Sequence, residues 1–328
     1  MISEQAGEPP KAKFSITRLL RENSTAQGFL LISPANLYLF VLVVLPLIIV
    51  TSLSFLSRGA YGGVEFRFNL TNYARLFDPL YGKVMLFSLG VGLGTTVICL
   101  LIGYPLAYFL AHAPGKQRSL LLFLILLPFW TNFVIRIYAW MIILRSGGLL
   151  DSLLQWLHLT QAPLNLLYSP TAVMIGMVYE FLPFMVLPLY TSLEKIENSL
   201  LEAAADLGAP PWKAFLRVTL PLSVPGMIAG TILTFIPAMG MFVVPDILGG
   251  AKTILIGNVI RNQFLTARDW PFGAAASMIL MLLTMVLTLY YTRKAGFGEE
   301  LLVWAKRNPP CGSGSTPFLF MDLSMPRS

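Results

Sequence analysis

Six apolar stretches, at roughly 28–56, 83–112, 118–145, 169–193, 221–248 and 272–292, limit what this chain can fold into. Crossing the hydrocarbon core of a bilayer takes about 20 mostly apolar residues, and each run reaches that length. The first carries no charge between Glu22 and Arg58. Only 12% of the residues are charged, against about 25% in an average soluble domain. Mean hydropathy is +0.71. The chain therefore belongs to the membrane class, an all-α protein of six transmembrane helices.

Lys and Arg set the orientation. With the N-terminus inside, the cytoplasmic segments hold 14 of them and the outer segments 8, with Arg136 left inside a span. Both ends are expected in the cytoplasm, in a cytoplasmic (inner) membrane. The net charge of +7 is spread over loops and ends. That is a topology signal facing anionic lipid, not a nucleic-acid footprint. Residues 1–27 form a polar tail of mixed charge with no secretory signal, 28–295 the six-span domain, and 296–328 a Pro-, Gly- and Ser-rich tail expected to be disordered. Cys99 and Cys311 show no CxxC or metal spacing, and His112 and His158 are too few and too far apart to suggest a ligand set, so neither a disulfide framework nor a metal site is expected. Prolines are frequent within the spans, among them Pro46, Pro105, Pro128, Pro183, Pro188 and Pro237, so several broken or kinked helices are expected.

One segment is not built for lipid. Residues 199–230 read SLLEAAADLGAPPWKAFLRVTLPLSVPGMIAG and begin in the second cytoplasmic loop, 195–221. Ser199 and Glu202 have the spacing of a capping box. Leu200 to Leu207 give about two helical turns, and Gly208 supplies the left-handed residue that ends them. Ala209 and Pro210 each precede a proline, which favours extended backbone. Pro211 suits the first turn of a second helix near Trp212. Pro221 and Pro225 lead into span five, where Gly226 and Gly230 offer a small-residue face for close packing. The product is a short rigid helix, a hard turn and a second helix.

Glu202-Ala203-Ala204, Gly208, Val218 and Leu220-Pro221 reproduce the run E-A-A-x3-G-x9-[I/V]-x-L-P. This resembles the EAA loop of ATP-binding-cassette (ABC) importer permeases, with valine where isoleucine is more usual. The longer strings FDPLYGKVMLFSL, LLPFWTNFVIRIYAW, LPFMVLPLYTSLEKIENSLLEAAADLGA, GGAKTILIGNVI and RDWPFGAAASM extend the resemblance over roughly residues 28 to 295. They resemble the B-type permease subunits of spermidine/putrescine importers, whose first string more often starts with leucine. The resemblance implies the type I ABC importer permease fold with a short cytoplasmic coupling helix. It implies a second homologous permease subunit, two copies of a cytosolic ABC ATPase and a periplasmic or extracellular polyamine-binding protein. Glu202, Ala203, Ala204, Gly208 and Pro221 would couple to the ATPase. No GxxxxGK[ST] sequence occurs, so ATP and Mg would be bound by the partner and no cofactor by this chain.

A path for a polycation needs carboxylates, aromatic faces and few fixed positive charges. Glu180 lies about 11 residues, roughly 16 Å, into span four, beside Tyr179, Phe181 and Phe184. A carboxylate at that depth is a site candidate by default. It either lines the path or forms a structural ion pair with Arg136 of span three. Asp246 ends span five and is placed to meet an amine at the outer mouth or to sit as an interfacial loop residue. Trp130, Tyr138 and Tyr179 can stack on a desolvated ammonium, though core packing or an aromatic belt explains them as well. Asp269-Trp270-Pro271 reads as the start of span six. Other readings remain open: an importer for another cationic or amino-acid-like solute, or a secondary transporter working without an ATPase.

Overall fold

The computed structural model describes residues 24–159 and 164–294. The first 23 residues and the tail after Lys294 lie outside the described residues, and with them the expectations for both termini and Cys311. The chain folds as α1 (Ser24–Ser54), a hairpin of β1 (Leu56–Arg58) and β2 (Val64–Phe68), α2 (Thr71–Leu76), α3 (Pro79–His112), α4 (Gly115–Leu126), α5 (Phe133–Leu144), α6 (Leu149–Trp156) and α7 (Pro170–Leu193). Then come α8 (Asn198–Asp206), α9 (Pro211–Ala214), α10 (Leu220–Leu222), α11 (Val224–Gly240), α12 (Ile256–Leu265) and α13 (Trp270–Lys294).

By length and composition, five stretches among the described residues are able to cross a membrane: 33–54, 79–112, 133–156, 170–193 and 270–293. A sixth crossing results if Pro211–Leu222 and Val224–Gly240, bent by 59° at Ser223, count as one span. Two boundaries differ from the sequence expectation. The run 118–145 is not one helix, because a 3-10 turn at Leu127–Trp130 separates α4 from α5. Pro128 is the second residue of that turn, and Asn132 restarts the helix by accepting the amide of Val134 at 2.8 Å. The apolar run 221–248 ends as an α-helix at Gly240 and continues in a π turn at Pro245–Gly249. By contrast Pro46, Pro105, Pro183, Pro188 and Pro237 lie inside continuous helices. Neighbouring helices and side chains re-satisfy the carbonyls that such prolines free.

The centre is α3 against α7, with α11 packed on both. Cys99, Ala107 and Leu110 of α3 and Met177, Met185, Val186 and Leu189 of α7 are fully buried there. Glycines set the closeness of the α7–α11 contact. A Cβ on Gly226 would lie 2.6 Å from the carbonyl oxygen of Pro188, and one on Gly230 would lie 2.8 Å from Met185 Sδ. The small-residue face expected at these positions is thus used for packing. By contrast α1 packs mainly on α13, and Leu37 to Val43 remain exposed, as suits a lipid-facing helix.

The hairpin was not anticipated from the sequence. Gly62 and Gly63 turn it with φ of +88° and +82°, a region open to glycine at no steric cost. It is held to the loop before α13, where Arg58 donates to the carbonyl of Ala267 at 2.8 Å and Gly63 donates to that of Arg268 at 2.9 Å. Asp269 does more than begin a helix. One oxygen accepts the amide of Phe272, and the other pairs with Arg75 of α2 at 2.9 Å.

Candidate functional site: a coupling helix and a buried ion pair

Beyond α7 the chain turns at Glu194–Ile196 and enters α8. The capping box does not form. Helical backbone begins at Asn198 with Glu197 in the cap position, so Ser199 already lies inside the first turn and its hydroxyl donates to Glu197 Oε2 at 3.1 Å. The far end follows the expectation closely. Gly208 has φ +77°. Its amide donates to the carbonyl of Ala205 at 2.8 Å, and that of Ala209 to the carbonyl of Ala204 at 3.0 Å. These two bonds make a Schellman closure, which satisfies carbonyls that would otherwise be orphaned. Pro210 and Pro211 then open α9.

No residue of α8 is buried. Glu202, Ala203, Gly208 and Pro221 are exposed and Ala204 is half-buried. Leu207 is 89% exposed and Trp212 is 60% exposed, which puts apolar surface at the tip of the turn. The stem is anchored. Phe215 packs edge-on against Tyr104 and Tyr108 of α3, with ring centroids 5.7 and 5.9 Å apart. The hydroxyls of Tyr104 and Ser223 lie 2.9 Å apart. A rigid protruding helix is therefore connected by side chains to the centre of the bundle. Sequence reasoning missed this anchor, since nothing local marks Tyr104 as the partner of a serine 119 residues away.

The second candidate site lies between α5 and α7. Arg136 Nη2 donates to Glu180 Oε1 at 2.7 Å, and Nη1 donates to the carbonyl of Pro128 at 2.6 Å. Their side chains are 10% and 8% exposed. The ion-pair alternative for Glu180 is thus the geometry present. The break after α4 leaves the Pro128 carbonyl within reach of Arg136. Phe129 lies under the guanidinium, 5.3 Å from its carbon to the ring centroid, and Phe184 meets Phe129 edge-on at 5.3 Å. Arg136 Nε and Glu180 Oε2 are buried and make no hydrogen bond among the described residues.

The remaining candidates lie on α5, on α7 and in the 3-10 and π turns. Tyr179 packs edge-on with Trp140 at 5.4 Å. Trp130 is 78% exposed and touches Phe123 edge-on. Tyr138 is half-exposed on α5. Asp246 is not a free carboxylate: it pairs with Arg261 and accepts from Asn258, both on α12. Among the described residues no group of three or more His, Cys, Asp or Glu is placed to hold a metal ion.

Residues 103–293 match the family model described as "Binding-protein-dependent transport system inner membrane component". The chain is 50% identical over 256 residues to the spermidine/putrescine transport system permease protein PotB of Escherichia coli K12, covering 78% of this chain and 93% of that protein. The PotB of Salmonella typhimurium SL1344 is also 50% identical, over 78% of this chain and 89% of its own length. The inner membrane ABC transporter permease protein YdcU of E. coli K12 is 31% identical, over 76% of this chain and 85% of that protein. In fold, the chain resembles a subunit of a bacterial alginate ABC transporter crystallised with its pentasaccharide-bound periplasmic protein. The TM-score is 0.69 at 15% identity, over 91% of this chain and 99% of the other. The relatives are permease components of transport systems, not enzymes, and the protein belongs to the family of binding-protein-dependent transport system inner membrane components.

Proposed function

We propose that this chain is one of two permease subunits of an ATP-driven polyamine importer, driven by a cytosolic ATPase through α8. The observation that carries the coupling role is the exposed helix closed by Gly208 and joined to α3 through Phe215, Ser223 and Tyr104. Such a helix transmits force because its ends are fixed: a Schellman closure on one side and an aromatic anchor on the other. Glu202, Ala203, Ala204 and Gly208 enter a groove on the ATPase, and Pro221 sits where the moving segment meets span five. The half-identical relatives named for spermidine and putrescine support a polyamine substrate. Both termini then lie in the cytoplasm. The partners are a second permease, two ATPase copies that bind ATP and Mg, and a polyamine-binding protein outside. Glu180, Asp246, Trp130, Tyr138 and Tyr179 are the path residues of this reading.

The test is purification from native membranes in mild detergent, with co-purifying subunits identified by mass. A second six-span protein and an ATPase are expected, with ATP hydrolysis stimulated by spermidine or putrescine in the presence of the binding protein. A chain that comes down alone and moves solute without ATP overturns the coupling role. An assembly stimulated by another solute and not by polyamines overturns the substrate.

A further inference from the structure

The buried pair between α5 and α7 is incomplete. Arginine and a carboxylate commonly meet through two parallel hydrogen bonds, yet Arg136 and Glu180 share one, of 2.7 Å. Among the described residues Arg136 Nε and Glu180 Oε2 find no hydrogen-bond partner although both are buried. Arg136 is the fourth residue of α5, so its charge also sits near a helix N-terminus, where the macrodipole disfavours a cation. A pair with only a packing role has no reason to keep these penalties.

We propose that Arg136 is a tethered stand-in for a substrate ammonium: it holds Glu180 at rest and yields that carboxylate to an amine group of the polyamine during transport. This rests on the polyamine reading above. A bare carboxylate at membrane depth is costly, and leaving one buried charge without its partner is more so. A resident guanidinium removes that cost while the path holds no substrate. An arriving ammonium donates to Glu180 Oε2, the buried oxygen that the guanidinium leaves free. Arg136 is not stranded when displaced, because Nη1 already donates to the Pro128 carbonyl at 2.6 Å. Phe129 also offers its ring face to either cation. Competition with a built-in cation keeps the amine loosely held, which favours release inward.

The experiment measures binding of labelled spermidine to the full assembly in nanodiscs without nucleotide. Glu180→Gln is expected to weaken binding about tenfold, and Arg136→Met to tighten it about fivefold by removing the competitor. A merely structural pair predicts the reverse for arginine: Arg136→Met weakens binding as Glu180→Gln does, and the apolar double variant Arg136→Met/Glu180→Met restores it. Where Arg136→Met yields no stable assembly, the swapped pair Arg136→Glu/Glu180→Arg decides. It keeps both charges and moves the carboxylate to α5, so about tenfold weaker binding is expected, and wild-type binding overturns the exchange. Unchanged affinity in Glu180→Gln overturns the exchange alone. A wild-type assembly that binds no polyamine overturns the polyamine reading along with it.

Discussion

The hydroxyl of Tyr104 on α3 lies 2.9 Å from that of Ser223, at the 59° bend between the α9–α10 segment and α11. Ser223 is fully buried and also donates to the carbonyl of Leu220 at 2.9 Å. The same tyrosine ring packs on Phe215. One side chain of the central helix thus grips the bend through both a hydrogen bond and an aromatic face.

Tyr104→Phe removes the hydroxyl and keeps the ring, so the expected loss is about 1 kcal/mol of stability, the net worth of a typical hydrogen bond. Tyr104→Ala also removes the contact with Phe215 and loosens the stem. Solute moved per ATP hydrolysed in proteoliposomes is expected to fall severalfold for alanine and to stay near wild type for phenylalanine. Equal ratios in the two variants would remove Tyr104 from the coupling route.

Gly208 holds φ +77° and donates to Ala205. Alanine there costs about 1–2 kcal/mol for left-handed backbone. Proline is worse, because it fixes φ near −65° and has no N–H. Gly208→Pro is expected to insert normally and to abolish uptake, with Gly208→Ala intermediate. Wild-type uptake in Gly208→Pro would show that the helix is not the coupling element.

Gly226 leaves no room for a side chain beside Pro188 and Ser192, while a Cβ on Gly240 meets nothing within 4 Å. Overpacking a close helix contact costs about 1–3 kcal/mol. Gly226→Ala is therefore expected to lower the melting temperature of the detergent-solubilised chain, and Gly240→Ala to change it little. Similar melting of the two would mean that the α7–α11 contact adjusts freely.

The side chains of Asp246 and Arg261 are 34% and 39% exposed. Pairs of this kind are worth about 0–1 kcal/mol, so neither neutral variant should unfold the chain. If Asp246 receives amines, Asp246→Asn raises the polyamine concentration for half-maximal uptake, whereas Arg261→Gln lowers it by freeing the carboxylate. Matching shifts in both variants would assign the pair to loop structure alone.

The sequence by itself determined the apolar spans, the position of the protruding helix and the way that helix ends. These depend on local chemistry: apolar length, the left-handed freedom of Gly208, and two consecutive prolines. Local pattern erred at the helix start, where Ser199 and Glu202 had the right spacing but the incoming turn from α7 placed Glu197 at the cap. It also erred in span three, where hydropathy alone does not register the 3-10 turn that splits the run. Only the tertiary structure decided the partners. Arg136 meets Glu180 across 44 residues, and Asp269 meets Arg75 across 194. Hydropathy counts residues along one chain segment. A buried charge takes whichever opposite charge packing brings within reach, and that is a property of how the helices assemble.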